Sequence, residues 1–285
     1  MGSQLGRLAQ LGSALAATGA LLAPTAHAAD EFEYVAMGDS AAAGPLMPNP
    51  DPNLLCFRSK ENYPQVAAGL IGAKLTDVSC SGAKIEDFSG RQHGIMAPQY
   101  DALSDRTDLV TVTIGGNDVS LVRAALSCVN PFPEPIGSSC ADEFTAGGED
   151  ELAERIDALA PRFDDALAQI RHRAPNAEIV VVGYGTYLRP GGCYPKEPMW
   201  ARDADYIQSS VDRLSAMLRE RAAAHGAEFV DLGPVSKGHD VCAAPADKYY
   251  EGLIPTSVAA PLHPNAKGMQ VFGRTVAKAV PHIQS

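Results

Sequence analysis

The sequence predicts a three-layer α/β/α sandwich on a parallel sheet of about five strands, and three observations point there. Short apolar or β-branched runs recur near residues 33–38, 74–78, 108–114, 178–183 and 227–231. Stretches with apolar residues at three- and four-residue steps, suited to amphipathic helices, alternate with them. Several of the strand-like runs stop at polar, Gly-rich corners, as strands do at the carboxyl edge of an open parallel sheet.

Taken in order, Tyr34-Val35-Ala36-Met37 ends at Gly38-Asp39-Ser40 and reads as a buried strand that pushes Ser40 out at the sheet edge. Residues 41–53, rich in Ala, Gly and Pro, read as a loop or as one helical turn followed by loop. Pro64 near the start supports a helix over 63–70, and Lys74 to Val78 supplies a second strand. That strand runs out at Ser79-Cys80-Ser81-Gly82-Ala83. The run 108–114 is β-branched and largely apolar, as a strand covered on both faces requires, and ends at Gly115-Gly116-Asn117-Asp118. Residues 130–148 hold two cysteines among Pro, Gly and Ser and read as a stapled surface loop. Over 149–173, Leu152, Ile156, Leu159, Phe163, Leu167 and Ile170 share one helical face, with Pro161 expected to kink it. A buried strand at 178–183 and a second cysteine-bearing loop at 184–200 follow. Helical spacing returns over 203–225, a fifth strand is expected at 227–231, and a last helix at 265–279. Neither an internal repeat nor a second domain is legible, so 29–285 is expected to form one domain.

The 285 residues, 46% hydrophobic, are enough for one sizeable core. A net charge of −11, with Lys and Arg scattered and no basic run, argues against nucleic acid and anionic headgroups as partners. Residues 1–28 look like a leader: Arg7 precedes an apolar stretch, and Ala26-His27-Ala28 offers a small-x-small cleavage site. Gly, Ser, Thr and Gln interrupt a run already short for a span, so a secreted protein without a stable membrane anchor is expected. Six cysteines in an exported chain read as three disulfides, with 15 pairings open. The sequential set, Cys56–Cys80, Cys128–Cys140 and Cys193–Cys242, is preferred because each pair brackets a loop between predicted elements. The absence of a CxxC pair speaks against zinc, and no assembly element is evident, so a monomer is expected.

The chemistry gathers at the corners. Carboxyl ends of parallel strands share one edge, so Gly38-Asp39-Ser40, Ser81-Gly82-Ala83 and Gly116-Asn117-Asp118 converge there, joined by Pro261-Leu262-His263-Pro264-Asn265 before the final helix. Acyl transfer needs a hydroxyl nucleophile, a base for its proton and donors aimed at the developing oxyanion, and these corners hold all three. In this they resemble the SGNH (GDSL) hydrolase family, of flavodoxin-like fold, whose four blocks match at Ser40, Gly82, Asn117 and His263. Cys56-Phe57-Arg58-Ser59, Tyr63-Pro64 and Cys80-Ser81-Gly82-Ala83 resemble in particular its secreted actinobacterial esterases and lipases, which three disulfides hold. The resemblance implies hydrolysis of acyl or lipid esters through an acyl-enzyme, without a cofactor. Ser40 would be the nucleophile and His263 the base, with the Ser40 N–H, the Gly82 N–H and the Asn117 amide as the oxyanion hole.

One position departs from that family. Its usual Asp-x-x-His places an acid three residues before the histidine, where this chain has Ala260. A backbone carbonyl can also accept the Nδ1 proton and fix the tautomer, so a Ser40-His263 dyad oriented by the Ala260 carbonyl is expected. A carboxylate such as Asp240 or Asp247 against Nδ1 would replace that arrangement. Asp39 and Asp118 read as turn and helix-cap groups, and His93, His172, His225, His239 and His282 as surface residues.

Other chemistries fit less well. No serine lies in a G-x-S-x-G elbow, and there is no HExxH. A carbohydrate O-deacetylase of the same fold and a non-catalytic secreted binding protein are the alternatives, although a binder would not require Ser40, Gly82, Asn117 and His263 together. Loops 41–53, 130–148 and 184–200 are expected to carry specificity.

Overall fold

The apolar runs form β1 (Glu33–Gly38), β2 (Lys74–Asp77), β3 (Leu109–Thr113), β4 (Glu178–Val182) and β5 (Glu228–Val230) in a computed structural model that describes residues 1–2 and 31–280. Residues 3–28 of the expected leader, and His282, lie outside the described residues. All four strand pairings are parallel, in the order β2-β1-β3-β4-β5. Helices are α1 (Ser40–Ala43), α2 (Tyr63–Ile71), α3 (Leu121–Ser127), α4 (Cys140–Phe144), α5 (Glu151–Arg173), α6 (Ala201–Ala224), α7 (Gly233–Ser236) and α8 (Ala266–Ala279).

Side chains that alternate along a strand fill two separate cores, because the pleat sends successive residues to opposite faces. Tyr34 and Ala36 face Tyr63 and Ala67 of α2 and Phe272 of α8. Val35 and Met37 face Phe163 and Leu167 of α5 and Leu214 of α6. With α2 against α8 on one face and α5 against α6 on the other, the architecture is the expected three-layer sandwich. Each such buried Leu or Phe contributes about 2 kcal/mol by leaving water.

Local departures from the expected elements have physical reasons. Helix α5 continues through Pro161, whose side chain, like that of Asp157 four residues earlier, faces solvent. The bond that proline removes therefore lies on the wet side, where water can replace it. Helices α3 and α7 and the five-residue α4 are too short to show helical periodicity in sequence. Ser139 nonetheless starts α4 by accepting the Asp142 N–H at 3.2 Å. The cysteines pair as Cys56–Cys80, Cys128–Cys140 and Cys193–Cys242. Among the described residues no helix is long and apolar enough to cross a membrane.

The order of the sheet locates the site. Strands β2 and β3 flank β1, so the connections after β1 and β3 leave in opposite directions and open a crevice at their carboxyl ends. Gly38 lies opposite Thr113 in register, so the turns carrying Ser40 and Asn117 start side by side.

Candidate active site

The Ser40 turn is built by a glycine that nothing else could replace. Gly38 has φ +144°, and a Cβ there would lie 2.3 Å from the Thr113 carbonyl oxygen. The bare backbone lets Asp39 N–H donate to that same oxygen at 2.9 Å. Gln99 clamps Gly38 from outside, accepting its N–H at 2.8 Å and donating to its carbonyl at 3.0 Å. Asp39 then caps α1 by accepting the Ala41 N–H at 2.8 Å, which leaves Ser40 as the first residue of that helix.

The imidazole of His263 meets it from the other end of the chain. Its Nε2 is 2.7 Å from Ser40 Oγ, and its Nδ1 is 2.7 Å from the Pro261 carbonyl. A carbonyl can only accept, so Nδ1 carries the proton and Nε2 presents its lone pair to the serine hydroxyl. The orienting carbonyl is thus Pro261, which corrects the expectation for Ala260. The Ala260 carbonyl takes the backbone N–H of His263 at 3.3 Å, and Ala260 N–H donates to Pro45 at 2.9 Å. Leu262 causes the difference: with φ +59° it folds the chain back so that the carbonyl two residues ahead lies beneath the ring. Neither Asp240 nor Asp247 is a hydrogen-bond partner of the ring, whose nitrogens meet Pro261 and Ser40. Asp240 accepts from Arg189 at 3.0 Å and from Cys242 N–H at 2.8 Å, while Asp247 offers its backbone carbonyl to His239. Burial holds His263 below the usual histidine range, with the Pro261 hydrogen bond opposing in part, so the ring is neutral at neutral pH.

The buried residue Glu251 supports this turn without touching the ring. Glu251 N–H donates to the His263 carbonyl at 3.0 Å, and Leu262 N–H donates to the Glu251 carbonyl at 3.1 Å. Its side chain accepts from Thr256 N–H and Oγ1, Ser257 Oγ and Asn265 Nδ2 at 2.6 to 2.9 Å. Burial pushes the Glu251 carboxyl up, but those donors outweigh it and hold it below the ordinary range. Asn265 in turn caps α8 by accepting the Gly268 N–H at 3.0 Å.

Donors gather on the remaining corners. Gly82, at φ +82°, forms a turn anchored by Cys80 N–H on the Gly38 carbonyl and Ala83 N–H on the Cys80 carbonyl, both 3.0 Å. Asn117 donates one amide N–H to the Ala83 carbonyl at 3.0 Å, which fixes the amide plane and leaves its second N–H for another acceptor. No described acceptor takes the N–H of Ser40 or of Gly82. Gly116 N–H donates to Tyr184 Oη at 2.9 Å, and that hydroxyl donates to Asp39 Oδ2 at 2.7 Å. Tyr184 thereby joins the Ser40 turn to the Asn117 turn. Burial pushes Asp39 up to about 7, against the hydrogen bonds from Tyr184 and Ala41.

Sequence reading missed Tyr184, Glu251 and Pro261. Tyr184 follows β4 at the same edge, a signal of place though not of partner. Asp118 caps no helix of its own segment; it accepts the N–H of Ile85, the first residue of a short 3-10 turn at Ile85–Phe88, at 3.2 Å and pairs with Arg162 at 3.0 Å. His93 and His172 are exposed, His225 meets Asp164 at 3.0 Å, and His239 stacks on Tyr249 with centroids 3.9 Å apart.

Beside Ser40, Asn117 and His263 lies a cavity. Its walls are apolar, with Leu121, Val122 and Ala125 of α3, Met199, Ile207 of α6 and Leu262. Of the loops expected to carry specificity, 184–200 and the start of 41–53 reach it; α3 takes the place expected for 130–148.

The chain resembles known proteins over most of its length. The family model described as GDSL-like lipase/acylhydrolase matches residues 36–271. Lipase 2 of Streptomyces coelicolor is 40% identical over 257 residues, 86% of each chain. The crystal structure of an extracellular lipase from Streptomyces rimosus superposes with a TM-score of 0.74 at 28% identity, covering 87% of this chain and all of that one. Phospholipase A1 from Streptomyces albidoflavus gives 0.71 at 27% identity, covering 87% and 98%. The chain belongs to the GDSL-like lipase/acylhydrolase family of carboxylic ester hydrolases.

Proposed function

We propose that this is an exported, single-domain esterase or lipase that cleaves acyl or lipid esters with a Ser40-His263 dyad. The observation that carries the reading is the 2.7 Å contact between Ser40 Oγ and an Nε2 whose ring partner, Nδ1, is already committed to the Pro261 carbonyl. In the first step His263 Nε2 takes the hydroxyl proton as Ser40 Oγ attacks the ester carbonyl. Negative charge moves onto the carbonyl oxygen, which the Ser40 N–H, Gly82 N–H and second Asn117 N–H receive. Each such donor is worth about 3 kcal/mol in the transition state. The imidazolium gives its proton to the departing alcohol, leaving an acyl-serine. Water, activated by the same Nε2, then attacks the acyl carbon and releases the acid, and the proton returns to Ser40.

The apolar walls beside Ser40 favour an alkyl acyl group over a sugar, and therefore a lipid ester over an O-acetylated carbohydrate. The names of the relatives, among them a lipase and a phospholipase A1, support the same substrate class. Export is supported by the leader-like first 28 residues, by three disulfides, and by the relative described as extracellular. The test is turnover of p-nitrophenyl acetate, butyrate and laurate beside acetylated xylan. Ester hydrolysis that falls at least about 10^4-fold in Ser40→Ala supports the reading. Turnover untouched by that substitution, or confined to acetylated xylan, overturns it.

A further inference from the structure

Twelve large apolar side chains between residues 31 and 280 are exposed, and all but Leu70 lie on segments that leave the carboxyl ends of strands. Single exposed apolar residues are ordinary, but their concentration on the edge that carries Ser40 and His263 is not. Leu54, Leu55, Phe57, Ile95, Ile254 and Val258 are between 47% and 81% exposed.

Their segments are fastened to one another. Asn53 Nδ2 donates to Met96 Sδ at 3.4 Å, Ser81 N–H to the Cys56 carbonyl at 3.0 Å beside the Cys56–Cys80 disulfide, and Ala260 N–H to Pro45 at 2.9 Å. Residues 54–57 are held out in water rather than left there: Asn53 caps a short 3-10 turn, and Phe57 ends it in the left-handed region at φ +47°. An aromatic residue there costs on the order of 1 kcal/mol, which the disulfide next to it helps sustain. The rim also runs into the apolar cavity, since Leu253, neighbour of Ile254, and Ala41 line the cavity together with Leu262.

From this placement we infer that the rim is a docking face for the surface of a neutral or zwitterionic lipid aggregate. It seats the cavity mouth against the lipid, so that an acyl chain enters without crossing water. The inference rests on the ester-hydrolase reading above and adds the physical state of the substrate. Charge decides the kind of surface: a chain of net charge −11 without a basic run is repelled by anionic lipid.

The test combines binding to phosphatidylcholine vesicles, hydrolysis of emulsified trioctanoin, and hydrolysis of soluble p-nitrophenyl butyrate. Leu54→Ser/Leu55→Ser/Phe57→Ser is compared with Leu70→Ser, an exposed leucine at the opposite edge. The triple variant is expected to lose about thirty-fold in vesicle binding and emulsion turnover while keeping soluble kcat/KM within about twofold. Leu70→Ser is expected to change neither. A second variant, Ile254→Ser/Val258→Ser, should repeat the split from another loop. Unchanged binding in both variants, parallel loss of soluble activity in both, or binding that requires phosphatidylglycerol overturns the inference. So does a dimer in sedimentation that the triple variant dissolves, since a second copy would then cover the face. If the unaltered protein fails on soluble esters, the ester-hydrolase reading falls instead, while the vesicle arm, which needs no turnover, still tests docking.

Discussion

Replacing Asn117 with Ala removes the proposed oxyanion donor and a structural hydrogen bond, and the two losses are of different size. The structural bond is the 3.0 Å contact from Nδ2 to the Ala83 carbonyl, on a half-buried side chain, worth about 1 kcal/mol of stability. The Gly82 turn survives it, because Cys80 N–H on Gly38 and Ala83 N–H on Cys80 remain. The lost donor costs about 3 to 4 kcal/mol in the transition state, which lowers kcat by about 10^2 to 10^3. Ground-state binding rests on the apolar cavity, so KM should move less than about threefold. The assay is kcat and KM on p-nitrophenyl butyrate, with a urea midpoint to count folded protein. Asn117→Asp sharpens it, since the side chain keeps its size but accepts where it should donate, and its loss should be at least as large. A fall in kcat below tenfold, or a fall matched by loss of folded protein, would refute the assignment of Asn117 to the oxyanion hole.

Three further outcomes follow from the same geometry. As the proposed base, His263 must be neutral to act, and burial lowers its proton affinity, so kcat/KM should rise with pH through one inflection below the ordinary histidine value of about 6.5; an inflection above 6.5 contradicts this. Ala260→Asp restores the acid of the usual motif, yet Nδ1 is already bound to Pro261, so kcat should change less than about threefold and a tenfold gain would count against the dyad. Tyr184→Phe leaves Gly116 N–H and Asp39 Oδ2 unpaired and should cost about 1 to 3 kcal/mol, read from a denaturant midpoint. The sign of its pH dependence follows from Asp39. Because the folded carboxyl titrates at about 7, above its unfolded value, charging it costs stability as pH rises through that window, and Tyr184 relieves part of the cost. The variant should therefore lose more at pH 8 than at pH 5, and a pH-independent loss would sink the argument.

What could be read in the sequence was whatever depends on chain order and backbone periodicity. The β-branched run before Gly115 and the apolar one before Gly38 predict buried parallel strands, and parallel strands bring their final corners to one edge regardless of sequence distance. Ser40 and His263, 223 positions apart, meet for that reason. Partners chosen by side-chain reach were not legible. Tyr184 closes on Asp39 and Gly116 across the sheet edge, and nothing local to residue 184 announces it. Glu251 is likewise silent in sequence, although its carboxylate gathers Thr256, Ser257 and Asn265 around the histidine turn.

The orienting carbonyl shows where spacing misleads. An aspartate three residues before a histidine reaches the ring through its own Cβ and Cγ, so that spacing encodes the length of a side chain. A bare carbonyl has no such reach and must be delivered by the backbone. The chain meets this by turning one residue earlier: Leu262 adopts φ +59°, and the carbonyl two positions ahead, on Pro261, takes the Nδ1 proton at 2.7 Å. A leucine in that region costs on the order of 1 kcal/mol, and Glu251 holds it there through the backbone pair with Leu262 and His263. Glu251 thus serves the histidine one step removed: its main chain pairs with the backbone that carries the acceptor, while its carboxylate ties Thr256, Ser257 and Asn265 to that pairing.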